Sequence, residues 1–338
     1  MRGVTLAVVT LTGTAISSIC LVGAVPLVVL RGEHFLVQLN PAAAFTPVFV
    51  EYDGSIILDG TQCGSCQGTV LRALGEEWLG SCHGGEVVES VTLWVDGAAR
   101  DILSGMVYEG HSFTVEKVSS LGSVATLNSM LSCSPRAIIE QVSLTTVRAG
   151  LVLGVTYPFL STHQNRFTEV IGVRWPDRAI VTGSTALDGG SEFSLGSSQF
   201  VGQYDPRAQE GVVTMFTEAM AQGGTAFIWD RVCDNKLYFG FRGFANPVPQ
   251  GTRWSFRTVR FPFRTAEVGW HSAARVVPGD FDYDGDCDLS DFSRLQNLMG
   301  LEASLTDFDL VADYDGDGIV NRIDVRTFIH MLLGPDSN

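Results

Sequence analysis

The stretch Trp254-Ser-Phe-Arg-Thr-Val-Arg-Phe261 alternates apolar and polar side chains at almost every step. Successive side chains of a β-strand point to opposite faces, so this pattern predicts a half-buried strand. Similar short apolar runs, separated by Gly, Asp, Asn and Pro, fill most of the chain upstream. We therefore predict a mainly β domain over residues 31–264, built as a large sandwich of two packed sheets.

Turn dipeptides between the apolar runs indicate hairpins, because Gly, Asn, Asp and Pro favour tight turns. Three dipeptides have this position: Asp96-Gly97, Pro176-Asp177 and Asp234-Asn235. Helical periodicity is scarce in the same region. Its best short candidates are Val70–Leu79 and Val213–Ala221, for which we predict helices.

The N-terminus has the pattern of an export signal. Arg2 is followed by an uncharged run over residues 4–30, and Val22-Gly23-Ala24 carries small residues suited to signal peptidase. We predict a signal peptide over residues 1–24, with the mature chain starting near Val25. An uncleaved membrane anchor, or buried strands behind a misassigned start codon, are the alternatives. Either the signal or the anchor predicts a secreted or cell-surface protein.

Cysteine usage agrees with export. Cleavage after residue 24 leaves six cysteines, which permit fifteen pairings that sequence cannot distinguish. Cys63, Cys66 and Cys82 lie close together in the chain, followed by His83, and this group has two interpretations. Thiolates and imidazole are zinc ligands, but in an exported chain we expect at least one disulfide here.

Two acidic segments near the C-terminus share one pattern at an offset of 33 residues. They are 280–291 and 313–324, and each fits the twelve-residue calcium loop of an EF-hand with Asp at the last position. The predicted ligands are Asp280, Asp282, Asp284, Asp286, Asp288 and Asp291 in the first loop. Those of the second loop are Asp313, Asp315, Asp317, Ile319, Asn321 and Asp324. We therefore predict two bound Ca²⁺ ions.

The spacing of these loops follows from calcium chemistry. Ca²⁺ takes six to eight oxygens at about 2.3–2.6 Å, so carboxylates at loop positions 1, 3 and 5 wrap around one ion. Gly285 and Gly318, at position 6, permit the sharp turn. Ile319 contributes its backbone carbonyl, and Asn321 acts through a water. An apolar-faced helix is expected after each loop, with Phe292, Leu295, Leu298 and Met299 facing Val325, Phe328, Ile329 and Leu332.

Duplicated calcium loops, each followed by a helix and closed by Asp, resemble the dockerin family. The resemblance covers about residues 277–334. It implies a small all-α calcium-loop module, which we place at 279–338 behind a linker over 265–278. It also implies docking onto a cohesin-like domain or cell-surface component, and an association with polysaccharide degradation.

One departure from the family pattern concerns the partner. Dockerins commonly carry a Ser-Thr pair at loop positions 10 and 11, where this chain has Leu289-Ser290 and Arg322-Ile323. These residues differ from hydroxyl pairs in size and charge. We therefore predict that cohesins built for the Ser-Thr pattern do not bind this chain.

No nucleophile elbow, phosphate-binding glycine loop or zinc-protease motif is present upstream. The polar segment around His163, Arg166 and Glu169 supplies candidate catalytic or sugar-contacting residues, although an ordinary solvated turn has the same composition. If the β domain is an enzyme, we expect a carbohydrate-active hydrolase or lyase. The alternative is a non-catalytic carbohydrate-binding or cell-surface protein held by its tail.

The distribution of charge along the chain limits the classes of partner that it can bind. The net charge is −15, and the segment from Arg275 onward holds fourteen acids against four arginines. An acidic cluster this local indicates bound cations, and the chain has no basic stripe. We therefore expect no nucleic-acid partner. A polysaccharide partner is what the dockerin resemblance implies.

Overall fold

A computed structural model of the chain describes most of the predicted β domain and parts of the C-terminal module. The described ranges are 26–60, 66–73, 77–134, 138–163, 166–174, 180–184, 192–196, 198–217, 225–230, 234–240, 247–264, 266–269, 289–300, 312 and 319–333. The predicted signal peptide and most of the linker lie outside these residues. Within them, neither α-helix has the length and hydropathy needed to cross a membrane.

The described part of the β domain forms three sheets. The five-stranded sheet has the order β4-β3-β2-β1-β9. Its strands are β1 (Val28–Arg31), β2 (Phe35–Asn40), β3 (Thr46–Tyr52), β4 (Ser55–Asp59) and β9 (Val107–Glu109). β1 and β9 pair in parallel, and the other pairs are antiparallel. β1 begins at Val28, so the end of the uncharged run 4–30 belongs to this sheet.

The ten-stranded sheet is the largest and is antiparallel throughout. One half runs outward from β12 (Ile138–Thr146) through β11 (Ala125–Cys133), β10 (Phe113–Leu121), β7 (Glu86–Val95) and β8 (Ala98–Arg100). The other half runs outward from β18 (Glu210–Thr217) through β17 (Ser198–Asp205), β14 (Glu169–Arg174) and β15 (Ile180–Ser184). β21 (Arg253–Arg264) lies between β12 and β18 and joins the halves.

The six-stranded sheet has the order β16-β19-β20-β13-β5-β6. Its strands are β5 (Gln67–Ala73), β6 (Leu79–Gly80), β13 (Leu153–His163), β16 (Glu192–Gly196), β19 (Thr225–Asp230) and β20 (Asp234–Gly240). A short 3-10 helix, Pro41–Ala43, lies between β2 and β3, and a second, Glu267–Gly269, lies in the predicted linker. In the C-terminal module the helices are α1 (Leu289–Leu298) and α2 (Arg322–Leu333).

The predicted sandwich is confirmed with one refinement, since its second layer consists of two sheets side by side. One hydrophobic cluster joins the ten-stranded sheet to the six-stranded sheet, through residues such as Leu127, Phe216 and Phe239. A second cluster joins it to the five-stranded sheet, through residues such as Val37, Phe113 and Ile138. Both smaller sheets therefore cover the same face of the ten-stranded sheet, which we call the inner face.

Both helix predictions within the β domain are wrong over the described residues. Val70–Ala73 belongs to β5, and Val213–Thr217 belongs to β18. The physical reason is burial on both faces. In β5, for example, Leu71 packs toward the ten-stranded sheet while Val70 packs with Val48 of the five-stranded sheet. A strand covered on both sides has a continuous apolar run, which lacks the alternation expected of a strand.

The strand prediction for 254–261 is confirmed as β21, but its half-buried character is wrong. Every residue from Phe256 to Arg260 is buried, the two arginines included. The six-stranded sheet packs on the inner face of β21, and on its outer face Arg257 and Val259 are buried while Ser255 stays half-buried. The pairs β14–β15 and β19–β20 confirm two predicted hairpins, although Asp234 and Asn235 lie within β20 rather than in its turn.

The Asp96-Gly97 turn joins β7 to β8 as predicted. Both residues have positive φ, 49° and 75°, which is the geometry of a two-residue hairpin turn. The Asp96 carboxylate also accepts hydrogen bonds from the backbone N–H groups of His111 and Ser112, at 2.9 and 2.8 Å. The side chain therefore ties this hairpin to the start of β10.

We expect Asp96→Ala to lower the free energy of unfolding by about 2 kcal/mol, because Ala tolerates positive φ poorly and removes the acceptor. Asp96→Asn keeps both properties and serves as the matched control. Denaturant unfolding measures both variants. Equal losses in the two would show that the carboxylate acceptor and the turn conformation are not what holds this hairpin.

Candidate functional site

The two carboxylates that close the predicted calcium loops are buried. Asp291 and Asp324 lie in the first turns of α1 and α2, and each residue is 0% exposed. A carboxylate out of water needs compensating donors or a cation, and the N-terminal end of a helix favours its charge. Two equivalent acids are therefore buried at equivalent positions, where a cation would compensate their charge.

The end of the second loop is held in shape by Asn321. Its backbone N–H donates to Asp324 Oδ2 at 2.7 Å, and its Oδ1 accepts from the Ile323 N–H at 2.8 Å. These reciprocal bonds cap the start of α2. The Asn321 amide also donates to the Ile319 carbonyl oxygen at 3.1 Å. Hydrogen bonds thus link the last three predicted ligands of this loop.

The two helices pack through the predicted apolar faces. Leu295, Ala312, Val320 and Phe328 are buried together, and the rings of Phe292 and Phe328 stack at 5.8 Å. Met299 and Ile329, also expected in this contact, are each 38% exposed and stand at its rim. The Gly300 N–H donates to the Val320 carbonyl oxygen at 2.8 Å, which ties the end of α1 to the second loop.

In the β domain, Arg166 is the described catalytic candidate with the most contacts. Its guanidinium donates to Asp205 at 3.1 Å, to the Ile56 carbonyl oxygen at 2.8 Å and to Glu210. Burial alone would raise the pKa of Glu210, but Ser55, Arg166 and Arg264 outweigh it and hold that pKa below its ordinary value. Arg166 therefore joins β4 to β17 and β18, and a catalytic role for it stays a prediction.

The structure describes less of the other two catalytic candidates, Glu169 and His163. Glu169 begins β14 and is half-buried, and the backbone of His163 pairs with Asp234 at the end of β13. The side chain of His163 lies outside the described part of the structure. Their predicted role stays untested.

A group of buried charges on the inner face was missed by sequence reasoning. Lys117 Nζ lies 2.6 Å from Glu86 Oε1 and 2.9 Å from the Ala44 carbonyl oxygen. Arg260 donates to Gln67 Oε1 of β5 at 3.0 Å. We call Glu86, Lys117, Glu140 and Arg260, with Gln67, the polar belt. It lies at the border between the two hydrophobic clusters, where all three sheets meet.

The alternation of β10 carries a signal for this belt. Phe113, Val115, Lys117, Ser119 and Leu121 share one face of the strand, and four of them are apolar or small. Because the other residues of this face pack into the core, Lys117 is expected to point into the core as well. An isolated strand gives no partner for the lysine, however, because Glu86, Glu140 and Arg260 come from three other strands.

Burial changes the proton affinity of two members of the belt. It raises the pKa of the Glu140 carboxyl group from 4.5 to about 7, with Glu86 adding to the rise and Lys117 and Arg260 opposing it. It also lowers the pKa of Arg260 to about 10, against the stabilising charge of Glu140. Glu140 as a residue is half-buried, but its carboxyl group is enclosed by protein.

The opposite, outer face of the ten-stranded sheet carries a shallow groove of about 410 Å³. Register pairing aligns its side chains in two cross-strand rows over β7, β10, β11, β12 and β21. The first row is Ser90, Val118, Asn128, Ser143 and Ser255. The second row is Thr92, Glu116, Met130 and Gln141, and it ends at Arg257. The groove is open to solvent.

With this geometry in view, comparison with known proteins identifies one part of the chain. Residues 278–333 match the family model of the dockerin type I domain. The C-terminal segment is a dockerin type I domain. Dockerin domains bind calcium and cohesins, which agrees with the buried loop-closing acids. No curated protein matches the chain significantly.

Solved structures resemble the β domain only distantly. A putative aldose 1-epimerase of Escherichia coli K12 aligns with a TM-score of 0.42 and 8% identity, covering 72% of this chain and 100% of its own. The α-N-acetylgalactosaminidase NagBb of Bifidobacterium bifidum gives 0.49 and 9%, covering 80% and 42%. A glycoside hydrolase family 97 enzyme of Pseudoalteromonas sp. strain K8 gives 0.42 and 6%, covering 69% and 35%. None of these TM-scores reaches 0.5, so the likeness assigns no activity.

The remaining predicted ligands of the dockerin lie outside the described residues. They are Asp280, Asp282, Asp284, Asp286, Asp288, Asp313, Asp315 and Asp317. Among the residues that the structure does describe, no group of three or more His, Cys, Asp or Glu could hold a metal ion.

The cysteines upstream of the dockerin follow the disulfide interpretation. Cys66 and Cys82 form a disulfide that links the start of β5 to the loop after β6. His83 Nδ1 lies 2.8 Å from the Ser81 carbonyl oxygen, and Cys63 lies outside the described residues. Cys133 is a free thiol, fully enclosed, and burial raises its pKa to about 12.

The raised pKa of Glu140 predicts a pH dependence of stability. Between pH 4.5 and about 7 the folded chain keeps a proton on Glu140 that the unfolded chain loses. The wild type therefore loses stability from this group as the pH rises through that window. Glu140→Gln cannot titrate, so we expect its stability relative to the wild type to rise by up to about 3 kcal/mol from pH 4.5 to 7 and then level off.

Denaturant unfolding at several pH values, with calcium held constant, measures this difference. Glu116→Gln, which removes one carboxylate from the outer face, controls for the change in net charge. Parallel stability profiles for Glu140→Gln and the wild type would contradict the prediction.

Proposed function

We propose that this chain is an exported protein of an extracytoplasmic assembly associated with polysaccharide degradation. In this proposal the dockerin binds two Ca²⁺ ions and attaches the β domain to a cohesin-like domain or cell-surface component. The observation that carries the proposal is the pair of buried, equivalent acids Asp291 and Asp324 within a matched dockerin segment. Charges buried in this way are retained where a cation binds them.

The helix starts supply the face that would meet the partner. Leu289 is 75% exposed and Ile323 is 52% exposed, and Ser290 and Arg322 beside them are exposed as well. One exposed apolar side chain at the start of each helix, at loop position 10 in α1 and position 11 in α2, supports a contact surface, since such residues are depleted from solvated helix faces. The two positions differ in sequence, so the surface is not equivalent in its two halves.

For the β domain, the geometry favours carbohydrate binding over hydrolysis. Hydrolysis of a glycosidic bond generally uses two carboxylates that flank it. The open groove on the outer face is lined by one carboxylate, Glu116. Glu86 and Glu140 do share one electrostatic environment, but their carboxyl groups are enclosed between sheets. We therefore propose a binding role for the described part of this domain, with hydrolysis as the second candidate.

Calcium stoichiometry tests the docking half of the proposal. We expect titration calorimetry on the full chain, first stripped of metal, to give about two Ca²⁺ ions per chain. Asp291→Asn and Asp324→Asn should each reduce this number to about one, because each removes the charge that closes one loop.

Asp336→Asn is the matched control, since Asp336 is an acid of the same segment outside both loops. Its stoichiometry should equal that of the wild type. Two undiminished sites in both loop variants would mean that these acids do not ligate calcium.

Partner choice gives a separate test. We expect no measurable binding to cohesins that recognise a Ser-Thr pair, because Leu289 and Arg322 would leave the polar groups of such a pocket unpaired. Pull-downs in calcium measure this, and Leu289→Ser with Ser290→Thr is the variant designed to restore binding through the first loop. Submicromolar binding of the wild type, abolished by a chelator, would contradict the prediction.

A further inference from the structure

We propose that the groove on the outer face of the ten-stranded sheet binds an uncharged polysaccharide chain laid across the strands. This inference deepens the proposed function and rests on it, because it names the site and the class of carbohydrate. It concerns the β domain alone and does not involve the dockerin.

The first argument is the arrangement of hydrogen-bonding groups. The first cross-strand row runs through five adjacent strands and holds Ser90, Asn128, Ser143 and Ser255. Adjacent strands lie about 4.8 Å apart, so a five-strand row spans roughly 19 Å. Hydroxyl and amide groups repeated over that length match a linear ligand that presents hydroxyl groups at regular intervals.

The second argument is the presence of apolar side chains within the same rows. Val118 lies between Ser90 and Asn128 in the first row, and Met130 lies between Glu116 and Gln141 in the second. Both are half-buried and contribute to the lining of the groove. A sugar ring has polar edges and apolar C–H faces, so alternating polar and apolar side chains can contact both parts of the ring.

The third argument is charge. The lining holds one carboxylate, Glu116, and one guanidinium, Arg253, in a chain whose net charge is −15. Arg253 Nε donates to Ser143 Oγ at 2.7 Å, which places its positive charge beside the first row. The groove is therefore close to neutral. An anionic polymer would need several cationic partners. Two cationic residues line the groove, but the ammonium group of Lys117 is bound to Glu86 on the inner face, which leaves the Arg253 guanidinium.

The shape of the face adds to these arguments. A solvated antiparallel sheet also carries polar side chains on alternate positions, but such a face alone need not enclose volume. Here the two rows line about 410 Å³, which is within the range of ligand-binding clefts. An open groove with one carboxylate suits binding without bond cleavage.

Affinity electrophoresis of the full chain tests this site. The probes are soluble β-glucan, xylan and galactomannan as neutral polymers, with polygalacturonate as the acidic comparison. We expect retardation by at least one neutral polymer and none by polygalacturonate. Retardation should persist in a chelator, because the groove is separate from the calcium loops.

Two variants locate the binding. Ser90→Ala with Asn128→Ala removes two polar groups of the first row and should weaken binding about tenfold or more. Ser255→Trp fills the end of the same row and should weaken it comparably. Gln38→Ala, which removes an amide from the five-stranded sheet, is the matched control and should bind as the wild type does. Unchanged unfolding curves exclude misfolding as the cause.

The outcomes separate this site from the proposed function. Neutral-polymer binding that survives both groove variants overturns the site and leaves the polysaccharide role standing. Binding to polygalacturonate alone overturns the inferred ligand class. Binding to none of the four polymers overturns both the groove and the polysaccharide role, while two calcium ions per chain would still support docking.

Discussion

The architecture of the β domain depends on the double pairing of β21. This strand pairs with β12 on one edge and with β18 on the other, and in the described sheet order it alone joins the two halves of the ten-stranded sheet. Its partners lie far apart in sequence, so the sheet closes through long-range contacts that cost chain entropy. Both smaller sheets pack on the inner face that β21 completes. The outer groove also spans this junction, since Ser255 belongs to β21.

The inner face divides into two hydrophobic regions with the polar belt at their border. Burying Lys117, Glu140 and Arg260 is costly, and such charges are tolerated only when paired and hydrogen-bonded. The pairs cross from strand to strand and, through Arg260 and Gln67, from the ten-stranded sheet to the six-stranded sheet. A shift in the register of any one of these strands would leave a buried charge unpaired. The belt therefore penalises misaligned packing of the three sheets.

Sequence reasoning succeeded where the signal is local. The alternation around Trp254, the Asp96-Gly97 turn and the dockerin pattern each depend on residues close together in the chain, and each predicted strand, turn or family is confirmed. It failed where burial depends on distant partners. Val70 and Leu71 form a continuous apolar run because two different sheets cover β5, and Arg260 is buried because β5 of the six-stranded sheet packs over it. The groove could not be predicted from the sequence for the same reason, because Asn128 and Ser143 become neighbours only through the strand register.

The enclosed thiol of Cys133 has a consequence for the disulfide chemistry of the β domain. Disulfide exchange proceeds through thiolate attack, and a free cysteine beside a disulfide-bonded domain is ordinarily a source of scrambled pairings. With a pKa of about 12 and no exposed surface to speak of, this sulfur remains protonated and out of reach of oxidants. The Cys66–Cys82 bridge is thereby shielded from one internal nucleophile for as long as the fold is intact. Once the sheet opens, the same sulfur becomes reactive, so unfolding in an oxidising medium would be prone to become irreversible through mispaired bridges.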